Sequence, residues 1–369
     1  MMITSKASAL YVHVPFCRHI CGYCDFCRTV YSSELAEQWL NALETELEYK
    51  KIHSDIQTVY IGGGTPTSLE APLLDRLFQL LEPYTSNVQE YTIEINPETF
   101  DGKKAELFKQ YGVNRASIGL QTANEKLLKM IGRHHTPEDV LAAINLLRSL
   151  SDIHNISLDL MYSLPGQTMQ DVEDAFDFVR NSGVPHVSLY SLTIEPGSVF
   201  GKTGKEPLDE DTEADMYERL ISLCEANGYH QYEISSFAKE GCESNHNKAY
   251  WHYDDFIGIG AGASGKENHI RYDHTKVLRE YMENPIKTEK TILSHEDEMF
   301  EEIMMRLRLK KEGIDRNEFK KRYGLDVKEA FPHMEKLIRE NLLVETEDRI
   351  VCSETGFPVL NSILVSLMP

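Results

Sequence analysis

The chain has 369 residues, 41% of them hydrophobic and 26% charged, which is the balance of a globular protein with room for one large domain and a smaller one. A formal net charge of −21 disfavours a nucleic-acid backbone as partner, and no apolar run is long enough to span a bilayer. Seven cysteines, an odd number with no secretory signal read ahead of them, argue against a disulfide framework and for a reducing, cytoplasmic setting.

In chain order, Leu10–Val14 is an apolar run that reads as a strand and leads directly into a cysteine-rich stretch. Glu34–Lys51 reads as a helix, with Leu35, Trp39, Leu43 and Leu47 at four-residue spacing. Thr58–Ile61 is a strand ended by Gly62-Gly63-Gly64-Thr65-Pro66, and Pro72 opens the helix Leu73–Leu81. Strand Tyr91–Ile95, helix Lys103–Tyr111 and strand Arg115–Leu120 follow. After them come a helix from Pro137, strand Asn155–Met161, helix Val172–Arg180 and strand Val187–Leu192. Six strands alternating with helices imply parallel pairing through right-handed crossovers, hence an α/β fold. Periodicity alone leaves open a doubly wound sheet or an incomplete barrel. In both, ligands sit past the strand C-termini, where the unusual residues of this chain cluster.

Beyond Pro196 the pattern loosens. Thr212–Asn227 reads as a helix, Tyr229–Ser235 as a strand, and Cys242–Gly265 is aromatic and glycine-rich. From about Glu296 the helices Phe300–Leu309, Arg316–Tyr323 and Val327–Glu340 precede a hairpin, Leu342–Glu347 with Arg349–Ser353. This reads as a small α+β, winged-helix-like module without a basic recognition helix, suited to structural or protein contacts. The expected division is a first domain over 1–280 and a second over 290–369.

Cys17-Arg18-His19-Ile20-Cys21-Gly22-Tyr23-Cys24 spells C-x3-C-x2-C. Three thiolates on one loop hold three irons of a 4Fe–4S cluster and leave the fourth open, and open sites do chemistry. No second cysteine or histidine pair completes a zinc knuckle, and Cys27 is the one neighbour able to close the cluster. Gly62-Gly63-Gly64-Thr65-Pro66 lacks the ending of a phosphate loop; it reads as a turn or as a close backbone approach to a ligand. Glu94 and Asp159 are lone acids within apolar strands and need partners, for Glu94 a salt bridge to Arg115. His246-Asn247-Lys248-Ala249-Tyr250-Trp251 reads first as a packed aromatic corner around a hydrogen-bonded histidine. Gly260–Gly265 spells G-x-G-x-x-G, but the polar, non-helical residues after it exclude a dinucleotide loop.

The cysteine spacing, with the aromatic Tyr23 before the last cysteine, resembles the radical S-adenosylmethionine (SAM) superfamily. The wider phrase from Tyr11 to Cys17 is similar to one branch, the oxygen-independent coproporphyrinogen III dehydrogenases and the HemW heme chaperones. The resemblance implies a partial (β/α)6 barrel and a 4Fe–4S cluster on Cys17, Cys21 and Cys24. It further implies SAM contacts from Tyr11, Tyr23, Gly63, Gly64, Thr65, Glu94, Gln121, Arg133 and Asp159, and heme binding at His246. In Tyr162-Ser163-Leu164-Pro165-Gly166-Gln167, serine stands at position 163 where the family has glycine. Phe26 in place of a further cysteine, only sixteen residues ahead of Cys17, and the wording of Tyr190–Gly197 and His246–Trp251 favour the chaperone branch over the dehydrogenase. The expected partners are heme and heme-accepting apoproteins, with no nucleic acid and no transmembrane segment; the reading leaves room for peripheral membrane contact and for a homodimer. A coproporphyrinogen III dehydrogenase is the alternative, and a scaffold with a vestigial cluster a third class.

Overall fold

The structure is a computed structural model that describes residues 7–52 and 55–368; residues 1–6 and 369, at the outer ends of the two expected domains, lie outside them. Six strands alternate with five main helices: β1 Ala9–Val14, α1 Ser33–Lys50, β2 Thr58–Gly63, α2 Ala71–Thr85, β3 Glu90–Ile95, α3 Gly102–Gln110, β4 Arg115–Gln121, α4 Pro137–Leu146, β5 Asn155–Tyr162, α5 Met169–Ser182 and β6 His186–Ser191; a further short helix, Glu125–Met130, precedes α4. Helix starts follow side-chain chemistry. Asp101 caps α3, while Thr136 and Thr168 form capping boxes with Asp139 and Asp171 at α4 and α5.

β1 to β6 pair parallel in sequence order, and β9 (Phe256–Ile259) pairs parallel with the free side of β1. The sheet is extended antiparallel at both ends. One end continues through β10 Ser264–Glu267, β11 Ile270–His274 and β12 Thr288–Ile292; the other through β8 Ser236–Ala238 and β7 His230–Glu233. The strand order is linear, so the barrel stays open. A short helix, α7, over Asn245–Trp251 packs at the N-terminal ends of β2 and β3: His246 bonds Thr58, and Ser244 Oγ, Asn245 N and His246 N donate to the Glu90 carboxylate at the start of β3.

The main core joins the helices to the sheet. Leu40, Leu43 and Leu47 of α1 are buried, and Trp39 meets Phe16 edge-on at 5.8 Å. One buried carboxylate ties α1 to the added strands. Glu46 on α1 accepts from Gly260 N at 3.0 Å and Tyr281 OH at 2.7 Å, and lies 2.8 Å from His274 Nε2, with both side chains fully enclosed. The sequence reading did not anticipate β10–β12, because those strands are short and β12 is exposed and polar.

A second core, from Ile303 to Leu367, gathers α8 His295–Arg306, α9 Arg316–Tyr323, a three-stranded sheet and a final helix, Leu360–Ser366. The hairpin is antiparallel, Leu343 facing Cys352, with Ile314–Asp315 as its third strand. The expected single helix Val327–Glu340 is two, Val327–Ala330 and Met334–Arg339, because Pro332 between them cannot donate to the helical ladder. Ile234 N bonds Arg308 O, Lys310 N bonds Tyr232 O, and Glu312 grips His252 at 2.6 Å and Lys248 at 2.7 Å on α7. These two partners, His252 first, hold the Glu312 carboxyl down at about 2. No helix among the described residues is long and apolar enough to cross a membrane.

Glu46 also lies 3.8 Å from the largely buried Lys50 ammonium, and removing one partner of such a pair leaves the other uncompensated. Glu46→Ala should therefore cost about 3–5 kcal/mol in denaturant unfolding; a loss below about 1 kcal/mol would show that the Glu46 hub is not structural.

Candidate functional site

The site begins where two backbones touch. Gly64 N donates to Val14 O at 2.8 Å and Thr65 N to Phe16 O at 2.7 Å, so the turn after β2 is zipped to the loop after β1. A Cβ at Gly64 would lie 2.8 Å from those same two carbonyl oxygens. Gly63, at φ +110°, would drive a Cβ into the His13 ring, and Gly62 would drive one into Tyr60 and Glu94. All three glycines are required by close approach.

Phe16–Cys17 pairs with Thr29–Val30 and closes the base of the cysteine loop. Cys17 is buried, with Thr65 Oγ1 at 3.7 Å from its sulfur; Cys21 and Cys24 are half-buried, and Cys24 N turns back onto Cys21 O. Arg28 closes the loop from the other side, donating to the carbonyls of Cys24 and Phe26. Burial above all pushes the Cys17 thiol up to about 11, and the neighbouring Cys24 and Cys21 push it further. Cys24 is raised by burial as well. Burial keeps Cys17 and Cys24 protonated in the cofactor-free protein, and binding a cationic centre through their thiolates would release those protons. Cys27 belongs elsewhere. Its thiol donates to Lys276 O at 3.1 Å, and the charges acting on it are Lys276 and Arg28 rather than the other cysteines.

Inside the barrel, strand alternation puts Tyr11, Tyr60, Glu94, Ser117 and Asp159 on one polar face. Glu94 accepts from Tyr60 OH at 2.9 Å and from Gly63 N at 3.0 Å. Burial, aided by the charge of Asp159, lifts its carboxyl to about 7. Asp159, bonded by Ser117 Oγ at 3.2 Å, is lifted by burial to about 6. The expected partner of Glu94 is not its partner: Arg115 instead bonds Asn155 Oδ1 at 2.6 Å and Cys242 O at 3.3 Å. Arg115 faces Thr92 across the strands, whereas Glu94 faces Ser117, one step deeper.

The guanidinium that does reach this region is Arg133. It lies 3.4 Å from Tyr23 OH, and its buried Nε has no partner among the described residues. Gly119 makes room for it, since a Cβ there would meet Gln121 Nε2 at 2.6 Å and Arg133 Nη2 at 3.1 Å. Gln121 ends β4 at φ +66°. An unsatisfied guanidinium beside two carboxylates, roofed by three thiols, fits a multi-iron group together with an amino-acid-like ligand bearing one ammonium and one carboxylate. Tyr11 is one step removed, its hydroxyl bonded to His13 Nδ1 at 3.0 Å. Ser163 takes φ +62° while fully buried, so the left-handed turn that suits glycine is kept with a serine.

His246 is fully enclosed. Nδ1 bonds Thr58 Oγ1 at 2.9 Å, Nε2 bonds Tyr250 OH at 2.8 Å, and its ring stacks on Tyr60 with centroids 5.1 Å apart. Burial alone lowers it to about 3, so it is neutral. With both nitrogens engaged, His246 matches the hydrogen-bonded corner, and axial ligation of an iron requires breaking one of those bonds. Sequence reasoning missed Tyr60, His13 and Lys276. The signal for the first two was alternation: Tyr60 shares a strand face with Gly62, and His13 shares one with Tyr11.

This fold and this residue set define a radical SAM protein. The model of the radical SAM superfamily matches residues 11–179, and that of the HemN C-terminal domain matches residues 293–359. Membership brings a 4Fe–4S cluster and SAM as cofactors. The chain is 37% identical to the heme chaperone HemW of Bacillus subtilis, covering 92% of this chain and 93% of that one. It is 36% identical to HemW of Lactococcus lactis (97% and 96% covered) and 33% identical to HemW of Escherichia coli (98% of each). The chain belongs to the HemW family. In fold it is similar to coproporphyrinogen III oxidase (HemN) of Escherichia coli, with a TM-score of 0.85 at 20% identity over 99% of this chain and 91% of that one. The expected partial (β/α)6 barrel with a C-terminal domain is therefore the fold observed.

In the cofactor-free protein Glu94 keeps its proton up to about 7, against an ordinary value of 4.5. Between those values the folded form binds more protons than the unfolded one, so stability falls as pH rises from about 4.5 through about 7. Glu94→Gln cannot titrate and should flatten that fall by roughly 2 kcal/mol, leaving the part due to Asp159. Urea unfolding of both proteins at about pH 5 and about pH 7.5 measures it, and equal slopes would remove Glu94 as the source.

Proposed function

We propose that this protein is a cytoplasmic heme chaperone that carries heme and delivers it to heme-requiring apoproteins. The observation that carries this reading is likeness over nearly the whole chain to relatives named heme chaperones, at 33–37% identity, against 20% to the porphyrinogen oxidase of similar fold. Phe26 supports it. It is 63% exposed on the rim of the site, at the position where the dehydrogenases place a further cysteine.

In this reading Cys17, Cys21 and Cys24 hold the 4Fe–4S cluster. The carbonyl-lined turn at Gly63, Gly64 and Thr65, together with Glu94, receives the SAM ammonium, and Arg133 with its free Nε receives the carboxylate. Gln121, Asp159, Tyr11 and Tyr23 complete the wall. Bound there, the cluster and SAM supply one-electron reductive chemistry. The residues' own contribution is to bind, to orient and to keep water from the thiols. Glu94 exchanges its proton for the ligand's positive charge, which favours its ionised form. Heme lies beside His246. Residues 1–280 form the cofactor-binding domain and 290–369 the contact domain.

Two outcomes test the reading. Cys21→Ala should lose the cluster absorbance and bound iron after anaerobic reconstitution; a full 4Fe–4S spectrum in that variant rejects the ligand assignment. The reconstituted protein, given SAM, reductant and coproporphyrinogen III, should form no protoporphyrinogen at catalytic rates but should give a stable Soret band with added heme. Catalytic formation of protoporphyrinogen would make it the dehydrogenase.

A further inference from the structure

Between β1, β2 and the α7 helix lies a cavity of about 480 Å³, opening at the cysteine loop beside Phe26. Its walls are aromatic: Tyr11, Tyr60, Tyr250 and Phe256, with Tyr250 packed edge-on to Phe256 at 4.7 Å. We infer that this cavity is the heme seat, and that Lys276 at its rim is the anchor for a heme propionate. The inference rests on the heme-carrying reading above and deepens it by locating the cargo and the residue that recognises its carboxylates.

Three observations carry it. The volume and the four aromatic rings of the lining suit a planar macrocycle. The cavity wall has one cation, Lys276, whose ammonium makes no hydrogen bond or ion pair among the described residues, in a chain of net charge −21. The position of Lys276 is also fixed while its charge is left free. Its carbonyl accepts from the Cys27 thiol, whose own carbonyl bonds His13 Nε2 at 2.8 Å, and its stem passes over Gly262. The side-chain amide of Asn247, on the opposite wall, is likewise without a partner among the described residues and offers a second polar contact. The wall also holds one carboxylate, Asp25, which confines favourable anion contacts to the Lys276 side.

The iron is left lightly held. Both imidazoles that face the cavity have both nitrogens engaged, His13 with Tyr11 and Cys27, His246 with Thr58 and Tyr250. Binding through ring faces and carboxylates, rather than through strong axial ligands, suits a carrier that must give its cargo up.

The test compares hemin with hemin dimethyl ester, whose carboxylates are neutralised, by Soret titration of the full-length reconstituted protein. The wild type should bind hemin about tenfold more tightly than the ester. Lys276→Glu should weaken hemin about tenfold or more and leave the ester within twofold, and Lys276→Arg should restore the preference. Asn247→Trp, which fills the cavity, should weaken both ligands. The inference is overturned if Lys276→Glu binds hemin like the wild type, or loses hemin and ester equally. A wild-type protein that binds neither ligand overturns the heme-carrying reading itself, a result distinct from a wild type that binds both with no preference.

Discussion

Two loops at the C-terminal ends of β1 and β2 approach so closely that no side chain fits between them, and the site is built on that approach. Gly64 and Thr65 donate to the carbonyls of Val14 and Phe16, which fixes where the chain enters the cysteine loop. Gly62 leaves space for Tyr60 and Glu94 to meet, and Gly63 presents its N–H to the Glu94 carboxylate. One run of three glycines thus sets both the position of Cys17 and the orientation of the acid below it. A methyl group at Gly64 would meet backbone oxygen, which cannot rotate away as a side chain can. The constraint is therefore rigid, as a multi-point cofactor site requires.

Below that contact, the barrel interior is polar because parallel strands with alternating faces bring one polar position per strand into register. Glu94 lies opposite Ser117, and Asp159 opposite Ser188. Burial lifts both carboxyls, and the charge of Asp159 lifts Glu94 further, so each gives up its proton more readily once a cation arrives. Arg133 stands at the same place with an unused Nε. The interior is thus electrostatically unfinished in both signs, and a zwitterionic ligand completes it. This is a stronger argument for an amino-acid-like ligand than any one residue, because a purely structural network would have paired Arg133 with a carboxylate outright.

Much of the barrel was legible in the sequence, since its strands are β-branched apolar runs bounded by glycine, proline or asparagine, and its helices carry apolar residues at helical spacing. The β10–β12 extension was not, because exposed polar strands such as β12 carry no hydrophobic pattern. The C-terminal helix pattern ran across Phe331-Pro332-His333, where periodicity persists although the ladder breaks. At the site, residue types were legible but partners were not. Arg115 opens the next strand after the one that carries Glu94, yet strand register places it two residues short. His246 and Tyr250 are four apart, so their hydrogen bond was implicit in a helix that the sequence reading had not assigned. Spacing alone left Cys27 able to close the cluster, although the open three-cysteine site was preferred; the loop geometry turns its thiol toward Lys276.

The α7 helix links these parts. Its first turn is held by Glu90 at the base of β3, its inner face carries His246 and Tyr250 against Tyr60, and its outer face presents Lys248 and His252 to Glu312 of the C-terminal region. Trp251, at its end, lies under the Arg308 guanidinium at 5.4 Å. One short helix is thus at once the wall of the aromatic cavity and the platform on which the second core rests. Tyr60 extends the chain of contacts further, since its ring touches His246 while its hydroxyl bonds Glu94. Glu94, Tyr60, His246 and the α7 face that Glu312 grips thus form one continuous chain of contacts. The aromatic cavity, the buried acid beside the glycine turn and the face of α7 that meets Glu312 consequently share one set of side chains, and none of the three can rearrange without moving an atom that belongs to another.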